Sequence, residues 1–190
     1  MRVYETSSTE DYLKQMATAF EEAGLFFGHG TDNAWDEACW LFETLMRRHG
    51  HDDLRLDASL DPSSEVMQGI AAMMQERISS RKPLSYLLQE AWFCELPFYV
   101  DERVLVPRSP LAEVIDQQLE GLLPAAPERI LDLCCGSGCI GIACAMAYPE
   151  AEVVLADLSE EALAVARINV EKFKLQDRVT RRAWIGRGPG

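Results

Sequence analysis

The sequence predicts an α/β protein, in which an open sheet of parallel strands follows a small helical bundle and a β-hairpin linker. Residues 1–81 carry apolar side chains at helical spacing, whereas residues 82–108 alternate apolar and polar side chains around aromatic residues. From residue 109 onward, strand-like runs alternate with helical patterns. Of the 190 residues, 48% are apolar, enough to bury a core in more than one part of the chain.

Apolar stripes predict three helices in residues 1–81. The first covers Thr9–Ala23 and stops at Gly24, because glycine commonly ends helices. We expect Asp32 to cap the second helix, which ends at Gly50, and Asp61-Pro62 to open the third. The expected buried stripes are, helix by helix, Tyr12, Leu13, Met16, Phe20 and Ala23; Trp35, Cys39, Phe42, Leu45 and Met46; and Val66, Ile70, Met74 and Ile78.

The part after the bundle is predicted to pass from short strands to alternating strands and helices. Aromatic and β-branched residues from Trp92 to Val106 predict short strands joined by turns. Ser109-Pro110 is typical of a helix start. The later elements expected are strand Arg129–Cys134, a helix to about Ala147, strand Val153–Ala156, a helix capped by Ser159 and a strand from Arg178. After Thr180 the sequence turns basic and glycine-rich, and we expect an atypical tail from about residue 181.

A glycine-rich turn is the most informative motif of the chain. Residues Ile130 to Gly141 read Ile-Leu-Asp-Leu-Cys-Cys-Gly-Ser-Gly-Cys-Ile-Gly, and Asp157 ends the next apolar run. Open α/β sheets bind adenosine-containing cofactors where an apolar strand ends in glycines before a helix. Asp157 lies about 20 residues further on, where a carboxylate that binds ribose is expected. The glycines alone fit a dinucleotide site, and they also fit an ordinary structural turn.

Asp132 favours a different cofactor. It lies at the carboxyl end of the first predicted strand, four residues before Gly136. A carboxylate there disfavours a pyrophosphate, because like charges repel in a partly desolvated site. S-adenosyl-L-methionine carries an ammonium and a sulfonium and no phosphate, so we favour it over a dinucleotide and over a structural turn. The candidate cofactor-binding residues are Asp132, Gly136, Ser137, Gly138 and Asp157.

Charge and cysteine content narrow the class of protein further. The net charge of −13 argues against a direct nucleic-acid-binding face and is compatible with a basic partner. The six cysteines include no C-x-x-C pair, so buried thiols are favoured over disulfides or a metal site. His49, His51, Asp52 and Asp53 are interpreted as solvated residues at a helix end, and no metal is predicted. No membrane span or leader is evident, so we expect a cytoplasmic location.

Two stretches resemble the protein-glutamine N5-methyltransferases. One is the linker, with Pro83-Leu-Ser-Tyr-Leu-Leu-Gln, Phe98-Tyr-Val and Val104-Leu-Val-Pro-Arg-Ser-Pro-Leu-Ala-Glu, and the other is the glycine turn after Ile130. The form of the linker is similar to the PrmB-like branch, which methylates a glutamine of large-subunit ribosomal protein number three. The resemblance implies a Rossmann-like, S-adenosylmethionine-dependent methyltransferase sheet, a helical substrate-recognition domain and that ribosomal protein as substrate.

The same resemblance implies roles for the candidate site. Asp132 would lie near the ammonium group of the cofactor, and Asp157 would accept hydrogen bonds from the ribose hydroxyls. Gly136, Ser137 and Gly138 would approach the methionine part. The domains expected on this basis are a substrate-recognition domain at 1–81, a hairpin linker at 82–108 and a truncated methyltransferase domain at 109–190.

The resemblance also exposes what the sequence lacks. The family holds the substrate amide with an Asn-Pro-Pro-Tyr motif after its fourth strand, but here the asparagines are Asn33 and Asn169, and neither precedes a proline. We therefore expect a sheet truncated after about three strands, no catalytic residues and no activity of the chain alone. An uncovered sheet edge is expected to promote self-association. The alternatives are a non-catalytic module that binds a basic ribosomal protein, and an NAD-dependent enzyme.

Overall fold

The computed structural model describes residues 8–28, 30–51, 55–117, 119 and 122–184. The chain forms two compact units, which divide between Leu88 and Gln89, and each has its own hydrophobic core. The first unit contains the helices α1 (Thr9–Glu22), α2 (Ala34–Arg48), α3 (Glu65–Ser80) and α4 (Leu84–Leu88). The second contains β1 (Ala91–Phe93), β2 (Leu96–Phe98), α5 (Leu111–Asp116), β3 (Arg129–Leu133), α6 (Cys139–Ala147), β4 (Glu152–Asp157), α7 (Glu160–Lys172) and β5 (Val179–Ala183).

The starts of α2 and α3 differ from the sequence prediction. Asn33, not Asp32, caps α2, and its side-chain oxygen accepts a hydrogen bond from the backbone N–H of Asp36 at 2.9 Å. Asp61 forms a turn instead of opening α3, because its carboxylate accepts the N–H of Ser63 at 2.9 Å. Ser64 then caps α3. Several adjacent residues could cap each helix according to the sequence, and local side-chain hydrogen bonds determine which of them does.

The predicted stripes are confirmed for α1 and corrected for α2. Tyr12, Leu13, Met16 and Phe20 are buried in the first core. On α2, Phe42 and Leu45 are buried as predicted, whereas Trp35 is exposed. The other buried apolar residues of α2 were not predicted and are Ala34, Ala38 and Leu41. Four other predicted positions pack only partly against this core: Ala23, Cys39, Met46 and Ile78.

A buried ion pair crosses the first core. Arg77 on α3 donates from Nε to Oε1 of Glu37 on α2 at 2.6 Å, and the two side chains are 2% and 6% exposed. The same guanidinium donates from Nη2 to the backbone oxygen of Phe26 at 3.1 Å. The pair therefore joins α2, α3 and the segment after α1 inside the apolar bundle.

The second unit begins with the predicted hairpin. Strands β1 and β2 are antiparallel, and the turn residues Cys94 and Glu95 both have positive φ, of 48° and 57°. Two such residues suit the right-handed twist of a tight hairpin. The predicted strand character of 104–106 is wrong: Val104 and Val106 are buried and Leu105 is exposed, but no strand forms.

The confirmed α/β part is a parallel sheet in the order β3–β4–β5. Leu131, Val154 and Thr180 lie side by side in the register. Strand β5 continues to Ala183, which pairs with Asp157, so the paired strand extends past Thr180, where the sequence shows no strand alternation. Backbone pairing with β4 sets this strand, and such pairing does not require an apolar pattern.

One face of this sheet carries the helices and the other is open in the part of the chain that the structure describes. Right-handed crossovers place α6 and α7 on the same face, where Ile142 and Val165 are fully buried. On the opposite face of the end strand β3, Leu131 and Leu133 are 59% and 51% exposed. Edge strands with apolar neighbours are sites of association.

We expect this face to cause concentration-dependent self-association, and Leu131→Lys combined with Leu133→Lys to abolish it. Sedimentation velocity over a dilution series measures the effect. Leu56→Lys combined with Leu105→Lys is the matched control, since it adds the same charge at exposed leucines elsewhere. A wild-type chain that sediments as a monomer at every concentration would contradict the expectation.

Across the described ranges, no helix is both long enough and apolar enough to cross a bilayer.

Candidate cofactor site

The residues predicted to bind a cofactor lie at the carboxyl ends of β3 and β4. This is where ligands bind in open α/β sheets. Asp132 is paired with Leu155 in the register, and Asp157 is the last residue of β4. The glycine loop of residues 134–138 follows β3 and leads directly into α6. The sheet register and the loop thus bring all five predicted residues into one region.

Asp157 organises the glycine loop from the neighbouring strand. Its Oδ2 accepts the N–H of Gly136 at 2.9 Å, and its Oδ1 accepts the N–H of Ser159 at 2.9 Å. Ser159 in turn caps α7 by accepting the N–H of Ala162 at 3.1 Å. Each carboxylate oxygen keeps a second lone pair, so these bonds leave acceptor capacity for a hydroxyl group.

Asp132 is a buried carboxylate with few hydrogen-bond donors. Only 9% of the residue is exposed, and its Oδ2 accepts the N–H of Gly141, in the first turn of α6, at 2.9 Å. Burial raises the pKa of Asp132, the hydrogen bond from Gly141 opposes that rise, and the negative charge of Asp157 adds to it. Two acids that repel one another here favour a cationic ligand.

The three glycines of the motif are required for different reasons. A Cβ on Gly141 would lie 2.3 Å from Cδ2 of Leu155, so close packing of the helix on the sheet excludes a side chain. Gly138 has φ +79°, and its Cβ would lie 2.9 Å from Cδ1 of Leu155. At Gly136, with φ +54°, a Cβ would meet nothing within 4 Å. Gly136 is therefore the glycine that leaves open space beside the loop.

The cysteines around the loop are buried thiols with one exception. Cys135, Cys139 and Cys144 are buried, as predicted, and burial raises the pKa of Cys135 to about 12 and that of Cys139 to about 11. These thiols stay protonated near neutral pH and are poor nucleophiles. Cys134 contradicts the prediction, because it is exposed and has φ +61°, an uncommon conformation for a residue other than glycine.

Histidine and acidic residues show no metal-binding arrangement where the structure describes them. No group of three or more His, Cys, Asp or Glu side chains there could hold a metal ion. His49 donates from Nδ1 to the backbone oxygen of Leu45 at 2.8 Å, at the end of α2. Asp52 and Asp53, the other members of the histidine-rich segment, lie outside the described residues.

Asn169 is a residue of this region that the sequence reasoning missed. It is fully buried on α7, and its amide bonds both to the loop, at the backbone oxygen of Ser137, and to the linker, at Tyr99. A usable signal existed in the sequence. Asn169 lies three residues after Ala166 and next to Val170, so at helical spacing it falls among apolar residues, and a buried amide there needs hydrogen-bond partners.

Comparison with known proteins agrees with this geometry. Residues 112–185 match the family model described as "Methyltransferase small domain". Over 174 residues the chain is 38% identical to the ribosomal protein uL3 glutamine methyltransferase of Francisella tularensis subsp. tularensis, an alignment that covers 89% of this chain and 54% of that protein. The chain is therefore similar to a protein-glutamine methyltransferase over most of its own length. The resemblance predicted from the linker and the glycine turn is confirmed.

A second methyltransferase of the same name gives the same result. The protein of Burkholderia pseudomallei is 41% identical over 175 residues, which cover 90% of this chain and 56% of that protein. The chain thus spans about half the length of the curated relatives it matches. Among solved structures, the N-terminal domain of human METTL16 in complex with SAH has 14% identity and a TM-score of 0.40, over 77% of this chain and 56% of that one. The family match confirms the predicted methyltransferase fold class.

Proposed function

We propose that the second unit holds the cofactor half of a protein-glutamine N5-methyltransferase and binds S-adenosyl-L-methionine at the glycine loop. The observation that supports it best is the convergence of two carboxylates, Asp132 and Asp157, on a loop whose Gly136 faces open space. A cationic amino-acid group matches this negative, poorly hydrated environment, whereas the phosphates of a dinucleotide would be repelled. Similarity to the uL3 glutamine methyltransferases supports the same cofactor.

Each site residue has a proposed role. Asp132 pairs with the ammonium group of the cofactor, Asp157 accepts from the ribose hydroxyls, and Gly136, Ser137 and Gly138 border the methionine part. When bound, the cofactor supplies an electrophilic methyl group on its sulfonium. The chain's own contribution is to fix the loop through the bond from Gly136 to Asp157, and the first turn of α6 through the bond from Gly141 to Asp132. Each bond is 2.9 Å long and forms without the ligand.

The proposed substrate is a glutamine side chain of ribosomal protein uL3, as in the names of the relatives. An amide nitrogen is a weak nucleophile, so methyl transfer requires hydrogen-bond acceptors that orient the NH2 group. Neither Asn33 nor Asn169 belongs to an Asn-Pro-Pro sequence. We therefore propose that this chain alone is inactive. We also propose that its net charge of −13 favours binding of a basic substrate, and that it acts in the cytoplasm.

Asp132→Asn is the variant that tests the cofactor site. We expect the dissociation constant for S-adenosylhomocysteine, measured by calorimetry, to rise about 10- to 100-fold, because a charged hydrogen bond to the ammonium is lost. Although its affinity falls, the variant should be more stable than the wild type. The raised pKa of Asp132 means that its contribution to stability is present below the unfolded pKa and is lost as pH rises through the folded value, so the variant should melt higher near neutral pH.

Asp177→Asn is the matched control, because it removes the same charge at an exposed position outside the site. Its affinity and melting temperature should stay close to those of the wild type. Affinity of the wild type should also rise with pH as Asp132 ionises. Binding of NADH without binding of S-adenosylhomocysteine would overturn the cofactor assignment. Methyl transfer to purified uL3 by the chain alone would overturn the proposed inactivity.

A further inference from the structure

We infer that Asn169 is a positioning residue that joins the glycine loop to the hairpin linker, so that ligand binding at the loop and the position of the linker depend on one another. The identity of the ligand used here, S-adenosylhomocysteine, rests on the proposed function. The link itself rests on the hydrogen bonds of a single buried amide.

The Asn169 amide is saturated by two segments that are distant in sequence. Its Nδ2 donates to the backbone oxygen of Ser137 at 2.9 Å and to that of Tyr99 at 2.9 Å, while its Oδ1 accepts the N–H of Tyr99 at 2.7 Å. Both amide hydrogens and the oxygen are used, which fixes the orientation of the group. The residue is 0% exposed, so water does not replace a lost partner without opening the structure.

At the loop end, the bond fixes the backbone of Ser137, which is itself buried. Ser137 lies between Gly136 and Gly138, which have no side chains to pack. The loop is tied by its backbone, through Gly136 to Asp157 and through Ser137 to Asn169. A ligand that binds to the loop and shifts it would therefore also shift the Asn169 amide.

At the linker end, the same amide binds Tyr99 as a neighbouring strand would, through both its N–H and its C=O. Phe98 and Val100, on either side, are fully buried, so the segment has little freedom to shift on its own. Lys172, one turn further along α7, donates to the backbone oxygen of Pro97. Helix α7 thus holds the linker by hydrogen bonds from two of its residues, and one of them, Asn169, also binds the glycine loop.

Asn169→Leu tests the link while nearly conserving volume. Hydrogen exchange is followed by mass spectrometry in peptides that cover 96–101 and 134–139, with and without S-adenosylhomocysteine. In the wild type, the ligand should slow exchange in both peptides. In the variant, the affinity should fall by about 5- to 150-fold, the range typical of coupling between sites. At saturating ligand only the loop peptide should still be protected.

Val170→Ala is the control, because Val170 is the next residue of α7 and packs in the core without bonding to the loop or linker. It should lower the melting temperature yet keep ligand protection in both peptides. Unchanged linker protection in Asn169→Leu, or its loss in both variants alike, would overturn the inference. If the wild type binds no S-adenosylhomocysteine, the proposed function fails. The inference is then tested by comparing hydrogen exchange of the variants without ligand. Faster exchange of both peptides in Asn169→Leu but not in Val170→Ala supports the link, and any other pattern refutes it.

Discussion

Glu37→Ala is expected to lower the free energy of unfolding of the first unit by about 3–5 kcal/mol, the usual effect of removing one partner of a buried ion pair. Arg77 would be left charged and 2% exposed in an apolar core, with the backbone oxygen of Phe26 as its remaining hydrogen-bond acceptor among the described residues. Urea unfolding followed by tryptophan fluorescence measures the change. A Trp92→Phe, Trp184→Phe background confines the signal to the first unit.

Three further variants separate the charge effect from packing. Lys14→Ala breaks the exposed pair with Glu10 and should change the stability only slightly, because surface ion pairs contribute little. Glu37→Gln keeps a hydrogen-bond acceptor for Arg77, so its loss of stability should lie between those of Glu37→Ala and Lys14→Ala. Glu37→Leu combined with Arg77→Met should restore most of the stability, since apolar replacement of both partners is often neutral. A loss below about 1 kcal/mol in Glu37→Ala would show that the pair is solvated and contradict its burial.

This ion pair marks a limit of what the sequence predicts. Helical periodicity identifies α2 and α3 and part of their core positions, but it assigns Glu37 to a polar position. Its partner is 40 residues away on another helix, and only the packing of the two helices brings them together. Long-range pairing of this kind leaves no local pattern.

The geometry of the candidate cofactor site was more predictable because its signals are local. Strand, glycine turn and helix are consecutive, and parallel pairing of β3 with β4 necessarily brings Asp132 and Asp157 to the same edge. What the sequence did not predict is how these residues are used before a ligand binds. Asp132 and Asp157 hold backbone N–H groups of Gly141 and Gly136, contacts that depend on the exact path of the loop.

Gly141→Ala is the second change expected to have a large effect. The added methyl would lie 2.3 Å from Cδ2 of Leu155 and 3.0 Å from Oδ2 of Asp132. Leu155 is fully buried in the second core, so it can move only if its core neighbours also shift. Overpacking of this kind costs about 1–3 kcal/mol, and here it also disturbs the carboxylate of the site. The melting temperature and the affinity for S-adenosylhomocysteine should therefore both fall.

Leu155→Val in the same chain is a direct test of the cause. Shortening Leu155 makes room for the methyl, so the double variant should be more stable than the sum of the two single changes predicts. Strict additivity would mean that the clash is relieved elsewhere, and the packing argument would then be wrong.

Gly136→Ala is the contrasting variant within the same loop. A methyl there meets nothing within 4 Å, so the stability loss should be limited to the strain of φ +54°, about 1–2 kcal/mol. The space it occupies is the space proposed for the ligand, so affinity for S-adenosylhomocysteine should fall further than stability accounts for. If Gly136→Ala binds as the wild type does, the open side of the loop is not the ligand side. The two glycines thus separate the part of the motif that packs the fold from the part that is proposed to receive the cofactor.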